Sequence, residues 1–268
     1  MPIDWQVLVP NQVVREQLLQ TMFDHWPAHG HIVAGTPPWL DGLKVRERSW
    51  YNGRGYRWQA DVELDDADGQ RWVIELKHGA KYEPLALAEV LHHAHALGRA
   101  LRRPVKPAII CSYNSWLRMA LWYLKEQHHV EPVAYCEALV LRRITDTRYV
   151  IWFDLPFAAR RSIEHAPAAL PASLRNARLR WHRVDDTRSW LALPSRTTLD
   201  PASPFIEGKY LQLTEIPDGG YVLWLGEAAG DGTDSRIVSL PNDYFIGTPT
   251  SASIDSVALE TSIRRWLA

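Results

Sequence analysis

The chain has 268 residues, 46% of them hydrophobic, and its 30 basic and 31 acidic side chains nearly cancel. This length and composition allow a sizeable buried core, in one large domain or two small ones. No stretch approaches the roughly 20 apolar residues of a membrane span, and the first residues lack a basic region followed by an apolar run, so a cytoplasmic protein is expected. Cys111 and Cys136 lie in apolar runs, which predicts buried thiols and not a disulfide framework.

The N-terminal part of the chain predicts one helix and three strands. A helix is predicted over 11–25, capped by Asn11, and Glu16 lies beside its apolar stripe. A strand is predicted over 43–51, before a turn marked by Asn and Gly. Two more strands are predicted within 57–77, where apolar and polar residues alternate on both sides of an acidic turn.

The segment 57–77 is expected to form a hairpin. Its assumed register gives four facing pairs, namely Leu64 with Trp72, Val62 with Ile74, Ala60 with Leu76, and Asp61 with Glu75. Facing residues of an antiparallel pair project to the same side of the sheet. One side is therefore predicted to belong to the core, and the other side to hold Asp61, Glu75 and Lys77.

This polar side of the hairpin predicts a metal site. Two carboxylates this close repel each other unless a cation lies between them, and hard divalent ions take oxygen ligands. Asp61 and Glu75 are the predicted ligands, and Lys77 is placed to position a water molecule. Mg²⁺ or Mn²⁺ suits such an all-oxygen site better than zinc.

Two other interpretations of the hairpin follow from its acidic residues. Alternating charged residues are also typical of a solvated face, in which case they would have no role in chemistry. The acidic turn partly fits a calcium-binding loop. That fit fails because Leu64 falls at the position of the first ligand and helices do not flank the loop.

The segment after Lys77 predicts alternating helices and strands. Pro84 suits the first turn of a helix that ends before Pro104. The residues of this helix that are spaced for burial are Leu87, Leu91, Ala94, Leu97 and Leu101. A strand, a helix and a strand follow, over Ala108–Ser112, Ser115–Gln127 and Val133–Leu141. The predicted order is therefore helix, three strands, helix, strand, helix, strand.

Several histidines lie on or after these two helices, namely His92, His93, His95, His128 and His129. Zinc ligands on one helix are most useful four residues apart, a spacing that the first three do not have with one another. We interpret these histidines as solvated or partly packed side chains. A contact of His92 with a substrate is the alternative.

The acid, acid and lysine of the hairpin resemble the signature of the PD-(D/E)XK nuclease superfamily. Asp61 is followed by Glu75-Leu76-Lys77 on the next strand, and the order of elements is similar to the α-βββ-α-β core of the restriction-endonuclease-like fold. The nearest likeness, over about residues 10–142, is to NucS/EndoMS-type catalytic domains. The stretches that carry it are REQLLQTMF, the 14-residue step between the two acids, ADGQ before VIELK, and PAIICSYNSWLRMAL.

The resemblance implies a metal-dependent endonuclease that hydrolyses phosphodiester bonds in DNA, in a defence or repair setting. Asp61, Glu75, Lys77 and Glu16 would be its catalytic residues. Mg²⁺ or Mn²⁺ would be held by the three acids and by the backbone carbonyl of Leu76. Two alternatives are a nuclease that acts on RNA and a non-catalytic binding or assembly protein that retains the nuclease fold.

Contacts with nucleic acid are expected from residues around this site. Residues 1–145 carry 17 basic against 16 acidic side chains, so local patches and not bulk attraction have to supply the affinity. The candidate contacts are Arg54, Tyr56, Arg57, Glu89, His92, Arg99, Arg102 and Arg103. Glu89, His92 and His93 are the residues available where the relatives carry a glutamine. For the arginine groups, a solvated loop or helix end is an equal alternative.

The second half of the chain, 146–268, is predicted to form an accessory α+β domain rich in strands, after a nuclease-like domain over 1–145. Strands are predicted over Tyr149–Leu155 and, as a hairpin, over Tyr210–Leu225, and a helix over Ile254–Leu267. This domain would select the substrate, form a homodimer or bind a partner protein. The whole chain is thus expected to be an α/β (α+β) protein.

Overall fold

The structure of the protein is a computed structural model. It describes the ranges 3–8, 16–24, 32–40, 44–46, 51–53, 56–78, 84–112, 115–143, 149–199, 206–216, 219–228, 243–250 and 257–268. No helix in these ranges is long and apolar enough to cross a membrane.

The helices are α1 (Glu16–Asp24), α2 (Pro84–Leu101), α3 (Ser115–His128), α4 (Ala172–Arg175) and α5 (Val257–Leu267), with a 3-10 turn over Pro38–Leu40. The strands of the first half are β1 (Ile3–Leu8), β2 (Ile32–Ala34), β3 (Lys44–Arg46), β4 (Tyr51–Gly53), β5 (Tyr56–Trp58), β6 (Val62–Asp65), β7 (Arg71–His78), β8 (Lys106–Ser112) and β9 (Ala134–Arg143). The strands of the second half are β10 (Tyr149–Asp154), β11 (Arg160–Ile163), β12 (Leu179–Val184), β13 (Ser189–Pro194), β14 (Thr198–Leu199), β15 (Ile206–Glu215), β16 (Tyr221–Ala228) and β17 (Asp243–Pro249).

These elements form two compact units. The central unit consists of Asn11–His31 and Thr36–Pro156, and the β-rich unit consists of Met1–Pro10, Ile32–Gly35 and Phe157–Ala268. The predicted mixed α+β class is therefore confirmed, and the structure contains two large sheets. The predicted division at residue 145 differs from this one in three places. β1 pairs with β17 and Ile32–Gly35 groups with the β-rich unit, whereas β10 pairs with β9 in the central unit.

The central unit is built on a mixed sheet with the strand order β10-β9-β8-β7-β6-β3. β7, β8 and β9 are parallel neighbours, and α2 and α3 are the crossover helices between them. Parallel strands covered by helices need apolar residues on both faces. The fully buried residues of β7 and β8 include Val73, Ile74, Leu76, Ile109 and Ile110.

The strand predicted over 43–51 differs in the structure. Its described parts are β3, which pairs with β6 in the central sheet, and the start of β4, which pairs with β5 in a separate two-stranded ribbon. Gly53 faces Tyr56 in this ribbon. The turn signal around 52–55 therefore belongs to the ribbon and does not mark the entry to β6.

α2 packs on β7 and β8 with a face that shares Ala94 and Leu97 with the predicted one but is rotated away from the other leucines. The residues that it buries are Ala86, Val90, His93, Ala94 and Leu97. By contrast, Leu91 and Leu101 are each 39% exposed. The small alanine side chains allow the helix to approach the sheet closely. This rotation brings Glu89 and His93 toward β7.

A buried ion pair joins α3 to β9. Arg118 donates to Glu137 Oε1 through Nε at 3.0 Å and to Oε2 through Nη2, and the two side chains are only 8% and 3% exposed. Tyr135 donates its hydroxyl to Glu137 Oε1 at 2.7 Å, and Cys111 Sγ lies 3.1 Å from that hydroxyl. Both cysteines are buried and outside disulfides, as predicted.

The β-rich unit contains an antiparallel sheet with the order β1-β17-β16-β15-β13-β12-β11, and β14 pairs with β15. β15 and β16 form the predicted hairpin, with Leu213 facing Leu223. α5 packs on β1 and β16, and α4 packs on α5. The core of this unit includes Trp5, Leu174, Trp181, Leu223, Phe245 and Ile263.

Arg118→Met is expected to lower the free energy of unfolding by about 3–5 kcal/mol, because it leaves the buried Glu137 carboxylate without its cation. A urea titration followed by circular dichroism measures this loss. The matched control is Lys125→Met, which removes an ion pair with Glu131 whose side chains are 34% and 64% exposed. That pair is expected to be worth less than about 1 kcal/mol, and equal losses for the two variants would contradict the prediction.

Candidate active site

The β6–β7 hairpin carries the predicted acid, acid and lysine. Two of the predicted pairs are formed, Leu64 with Trp72 and Val62 with Ile74. The ladder ends at the second of these pairs, and Asp61 lies in a bend before β6. The β6–β7 ladder does not include the other two predicted pairs, which are Ala60 with Leu76 and Asp61 with Glu75.

Beyond the end of the ladder, the Asp61 carboxylate accepts a β7 backbone hydrogen bond in place of a backbone carbonyl. Its Oδ2 accepts the backbone N–H of Leu76 at 2.8 Å, and this N–H belongs to the peptide group that follows Glu75. Gln20 of α1 donates its side-chain amide to the backbone carbonyl of Asp61 at 3.0 Å. These two contacts fix the bend and place the Asp61 carboxylate on the backbone of β7, next to Glu75.

Glu75 and Lys77 are two residues apart in β7, so their side chains project to the same side of the sheet. Glu75 is only 4% exposed, and its Oε1 lies 2.5 Å from Lys77 Nζ. Its Oε2 lies 3.4 Å from His93 Nδ1, without the alignment of a hydrogen bond. Such partners are required because an unpaired charge in the interior costs much free energy.

α2 supplies two side chains to this ion pair. Glu89 and His93 are four residues apart and therefore lie on one face of the helix. Glu89 Oε2 lies 2.9 Å from Lys77 Nζ, and His93 lies beside Glu75. The Lys77 ammonium is thus held between two carboxylates, one from β7 and one from α2.

Pairing changes the pKa of both strand residues. Burial by itself raises the pKa of Glu75, but His93 and Lys77 outweigh it, and the pKa lies below its ordinary value. Burial by itself lowers the pKa of Lys77, but Glu75 and Glu89 outweigh it, and the pKa lies above its ordinary value. Both groups are therefore charged at neutral pH.

The interpretation of the hairpin as a solvated face is wrong. Glu63 is fully buried and Asp65 is 7% exposed. Arg71 pairs with both, at 3.3 Å from Glu63 Oε2 and 2.6 Å from Asp65 Oδ1. Arg46 also pairs with Asp65, at 2.6 Å. The alternating charges of β6 are therefore ion-paired inside the central unit.

The predicted nucleic-acid contacts on α2 and directly after it lie in different places. Arg99, Arg102 and Arg103 are exposed around the C-terminal end of this helix. Arg103 Nη2 lies 3.5 Å from Asp65 Oδ1, at the end of the hairpin that is roughly 20 Å from Lys77 along β7, at about 3.3 Å per residue.

The other two candidates on α2 are Glu89 and His92. Glu89 is half-buried against Lys77, whereas His92 is exposed. Glu89 is therefore the candidate that an ion pair joins to the predicted lysine, at 2.9 Å from Nζ.

Other predicted residues are not described. Arg54 lies outside the described residues, as do the side chains of Tyr56 and Arg57 in β5. The side chain of Glu16, the first residue of α1, is outside them as well. Its contribution to the site stays a prediction.

The donor atoms at this site fit a cation that takes few protein ligands. Within the described ranges, no group of three or more His, Cys, Asp or Glu side chains is placed to hold a metal ion. Mg²⁺ is commonly bound by one or two carboxylates, with water and substrate phosphate completing its shell. Asp61 and Glu75 supply two carboxylates, and Glu75 Oε2 is buried without a hydrogen bond from the described residues. Leu76 directs its carbonyl to the same edge as the N–H that binds Asp61.

Comparisons with known proteins give no match for this chain. No family model matches it, and no curated protein or solved structure matches it either. The resemblance to the PD-(D/E)XK superfamily therefore stays a hypothesis that rests on the residues themselves and on the order of the elements.

From the sequence, Glu89 and His93 are predicted as positions available for a substrate contact, and His93 also as a solvated or partly packed histidine. Their contacts with Lys77 and Glu75 depend on which face of α2 meets the sheet. The four-residue spacing of Glu89 and His93, beside the small residues of the buried face, is the signal that points to them. The leucine pattern of the same helix obscures that signal.

The stability of the protein is expected to fall in acid partly through Glu75. Its folded pKa lies below the ordinary value of 4.5, so its stabilising contribution is complete above that pH and is lost as the pH falls through the folded value. Glu75→Gln cannot ionise and is expected to show a smaller fall in Tm between about pH 5 and about pH 3. Melting curves across this range measure the difference. Glu131→Gln is the exposed control and should show the same fall in Tm as the wild type. If Glu75→Gln also shows the same fall as the wild type, the prediction is wrong.

Proposed function

We propose that this protein is a metal-dependent endonuclease of the PD-(D/E)XK superfamily that hydrolyses phosphodiester bonds in DNA, with a restriction-endonuclease-like fold in its central unit. The observation that carries the proposal is that Lys77 pairs with Glu75 on β7 while Asp61 binds the backbone between these two residues. Asp61 binds the backbone next to Glu75, and Lys77 Nζ lies 2.5 Å from Glu75 Oε1. We assign the chemistry to these three residues.

Phosphodiester hydrolysis requires a nucleophile made from water and a partner for the charge of the scissile phosphate. A bound Mg²⁺ or Mn²⁺ ion supplies both. Asp61 and Glu75 would hold it, with the Leu76 carbonyl and Glu16 as further ligands. Lys77 would orient the attacking water, since its ammonium has three donors and lies beside Glu75.

The location of these residues in the sheet supports a ligand site. Glu75 and Lys77 lie in the second half of β7, which runs parallel to β8. In open α/β sheets, ligands bind outside the carboxyl ends of the parallel strands. The Lys77 side chain is 15% exposed and the Glu89 side chain beside it is 44% exposed. Solvent therefore reaches the site from the side of α2.

The choice of DNA, and of a defence or repair setting, rests on the family resemblance. Metal-assisted hydrolysis needs no 2′-hydroxyl, so RNA is the alternative substrate. The nearly balanced charge of the chain favours a substrate held by local contacts. The exposed Arg99, Arg102 and Arg103 would supply contacts with phosphates at a distance from the cleaved bond.

A non-catalytic binding or assembly protein is the second candidate. It is favoured by the observation that Lys77 is already held by both Glu75 and Glu89. In addition, the described residues include no metal-binding group of three side chains. On this alternative, the charged cluster serves to fix α2 on β7, and the partner would bind elsewhere, for example on the β-rich unit.

Cleavage of labelled DNA and RNA tests the proposal. The substrates are single-stranded, duplex, mismatched and branched, each with and without Mg²⁺ or Mn²⁺. The wild type is expected to cut at least one DNA substrate, and only with the ion present. Asp61→Asn and Glu75→Gln should each lower the rate by about 100-fold or more, because each removes a charged ligand and keeps the shape of the side chain.

Amide variants are chosen because both carboxylates also have structural partners. Asn at position 61 still offers an oxygen to the N–H of Leu76, so the bend before β6 is retained. Glu126→Gln on α3 is the matched control and should cut at the wild-type rate. Ion-independent cutting, or equal rates for Glu75→Gln and the control, would rule out the proposed site.

A further inference from the structure

Lys77 has two carboxylate partners that differ in their environment. Its Nζ lies 2.5 Å from Glu75 Oε1 and 2.9 Å from Glu89 Oε2. The Glu75 side chain is 6% exposed, whereas the Glu89 side chain is 44% exposed. The same ammonium thus bridges one buried carboxylate and one carboxylate that borders the solvent.

Two carboxylates share the single ammonium of Lys77. Its Nζ contacts both Glu75 and Glu89, and His93 lies beside Glu75. On the proposed function, a divalent cation also binds Glu75. That cation and the Lys77 ammonium are attracted to the same carboxylate, so they compete for it.

We propose that Glu89 is a positioning residue that holds Lys77 when Glu75 binds a divalent cation. This role of Glu89 rests on the proposed function. Lys77 gives up its contact with Glu75 and keeps its contact with Glu89. An ammonium has three donors, so two remain for water and phosphate. The exchange leaves the lysine beside the reaction site and makes Glu75 available to the cation.

The position of Glu89 on α2 suits this role. Val90 and Ala86 are fully buried, and they fix the face of the helix that lies on the sheet. Glu89 therefore stays within reach of Lys77 after the contact with Glu75 is lost. If Glu89 were neutral, Glu75 would be the carboxylate left to Lys77 among the described residues, and the competition with the cation would be stronger.

The alternative is an ion pair that fixes α2 on β7 and has no part in cation binding. Loss of such a pair changes the stability of the protein but leaves its affinity for a cation unchanged. The affinity for Mn²⁺, measured by calorimetry on the full chain without nucleic acid, therefore separates the two. This measurement does not depend on cleavage.

The experiment is a double-mutant cycle of Lys77→Met and Glu89→Gln. Lys77→Met is expected to tighten Mn²⁺ binding by about tenfold, because it removes the competing cation. Glu89→Gln alone is expected to weaken binding by about tenfold. In the Lys77→Met background, Glu89→Gln is expected to change the affinity by less than about twofold, because its effect is transmitted through the lysine.

Conservative variants guard against loss of the fold. Lys77→Arg keeps the charge and should bind Mn²⁺ with nearly the wild-type affinity, and Glu89→Asp should recover most of the affinity lost in Glu89→Gln. Lys125→Met and Glu126→Gln, both on α3, are the matched controls and should have no effect. If Lys77→Met does not fold, Lys77→Gln takes its place in the cycle.

The outcomes distinguish this inference from the proposed function. If the wild type binds Mn²⁺ but Lys77→Met does not tighten binding, the inference is overturned and the proposed function stands. Equal weakening by Glu89→Gln in both backgrounds also overturns it, because Glu89 would then act on the cation directly. If neither the wild type nor Lys77→Met binds Mn²⁺, both the proposed function and the inference fail.

Discussion

Glu75 carries a negative charge in a strand whose neighbouring residues are fully buried. Ile74 and Leu76 have no exposed surface, and Glu75 itself has only 4%. A charge in such a place requires partners, because water cannot supply them. Lys77 provides one from the same strand, and His93 provides the other from α2. The placement of α2 on the sheet therefore depends on charge pairing as well as on apolar packing.

The same constraint acts on the neighbouring crossover helix. In the register of the parallel strands, Lys77 lies next to Cys111, and Cys111 lies next to Glu137. Residues in register on adjacent strands project to the same side of the sheet. Glu137 is paired with Arg118 of α3. Polar side chains thus form a row across one side of the central sheet. Each crossover helix supplies a charged partner to this row, Glu89 of α2 to Lys77 and Arg118 of α3 to Glu137.

In the proposed mechanism, stability and cation binding oppose each other at Glu75. The ion pair with Lys77 offsets the free-energy cost of burying the Glu75 carboxylate when no other cation is bound. The same ion pair occupies the oxygen that a divalent ion would need. A second carboxylate at Glu89 resolves this conflict in the proposed mechanism, because it holds the lysine in either state. In a protein without catalysis, Glu75, Lys77 and Glu89 would only hold α2 on β7. The arrangement without a bound cation is the same in both cases. They differ in whether Lys77 gives up its contact with Glu75 when a cation binds.

Much of the site follows from the sequence by itself. Alternation with a period of two predicts the hairpin, its pairs at Val62 and Leu64, and the shared side of Glu75 and Lys77. Tertiary contacts determine which surfaces are covered. The helical spacing allows either a leucine face or a face centred on Val90 to be buried, and only contact with the sheet selects the second. The burial of Glu63, the bend at Asp61 and the pairing of β1 with β17 depend likewise on groups that are distant along the chain. Local patterns cannot determine them, because burial is a property of the packed elements and not of one segment.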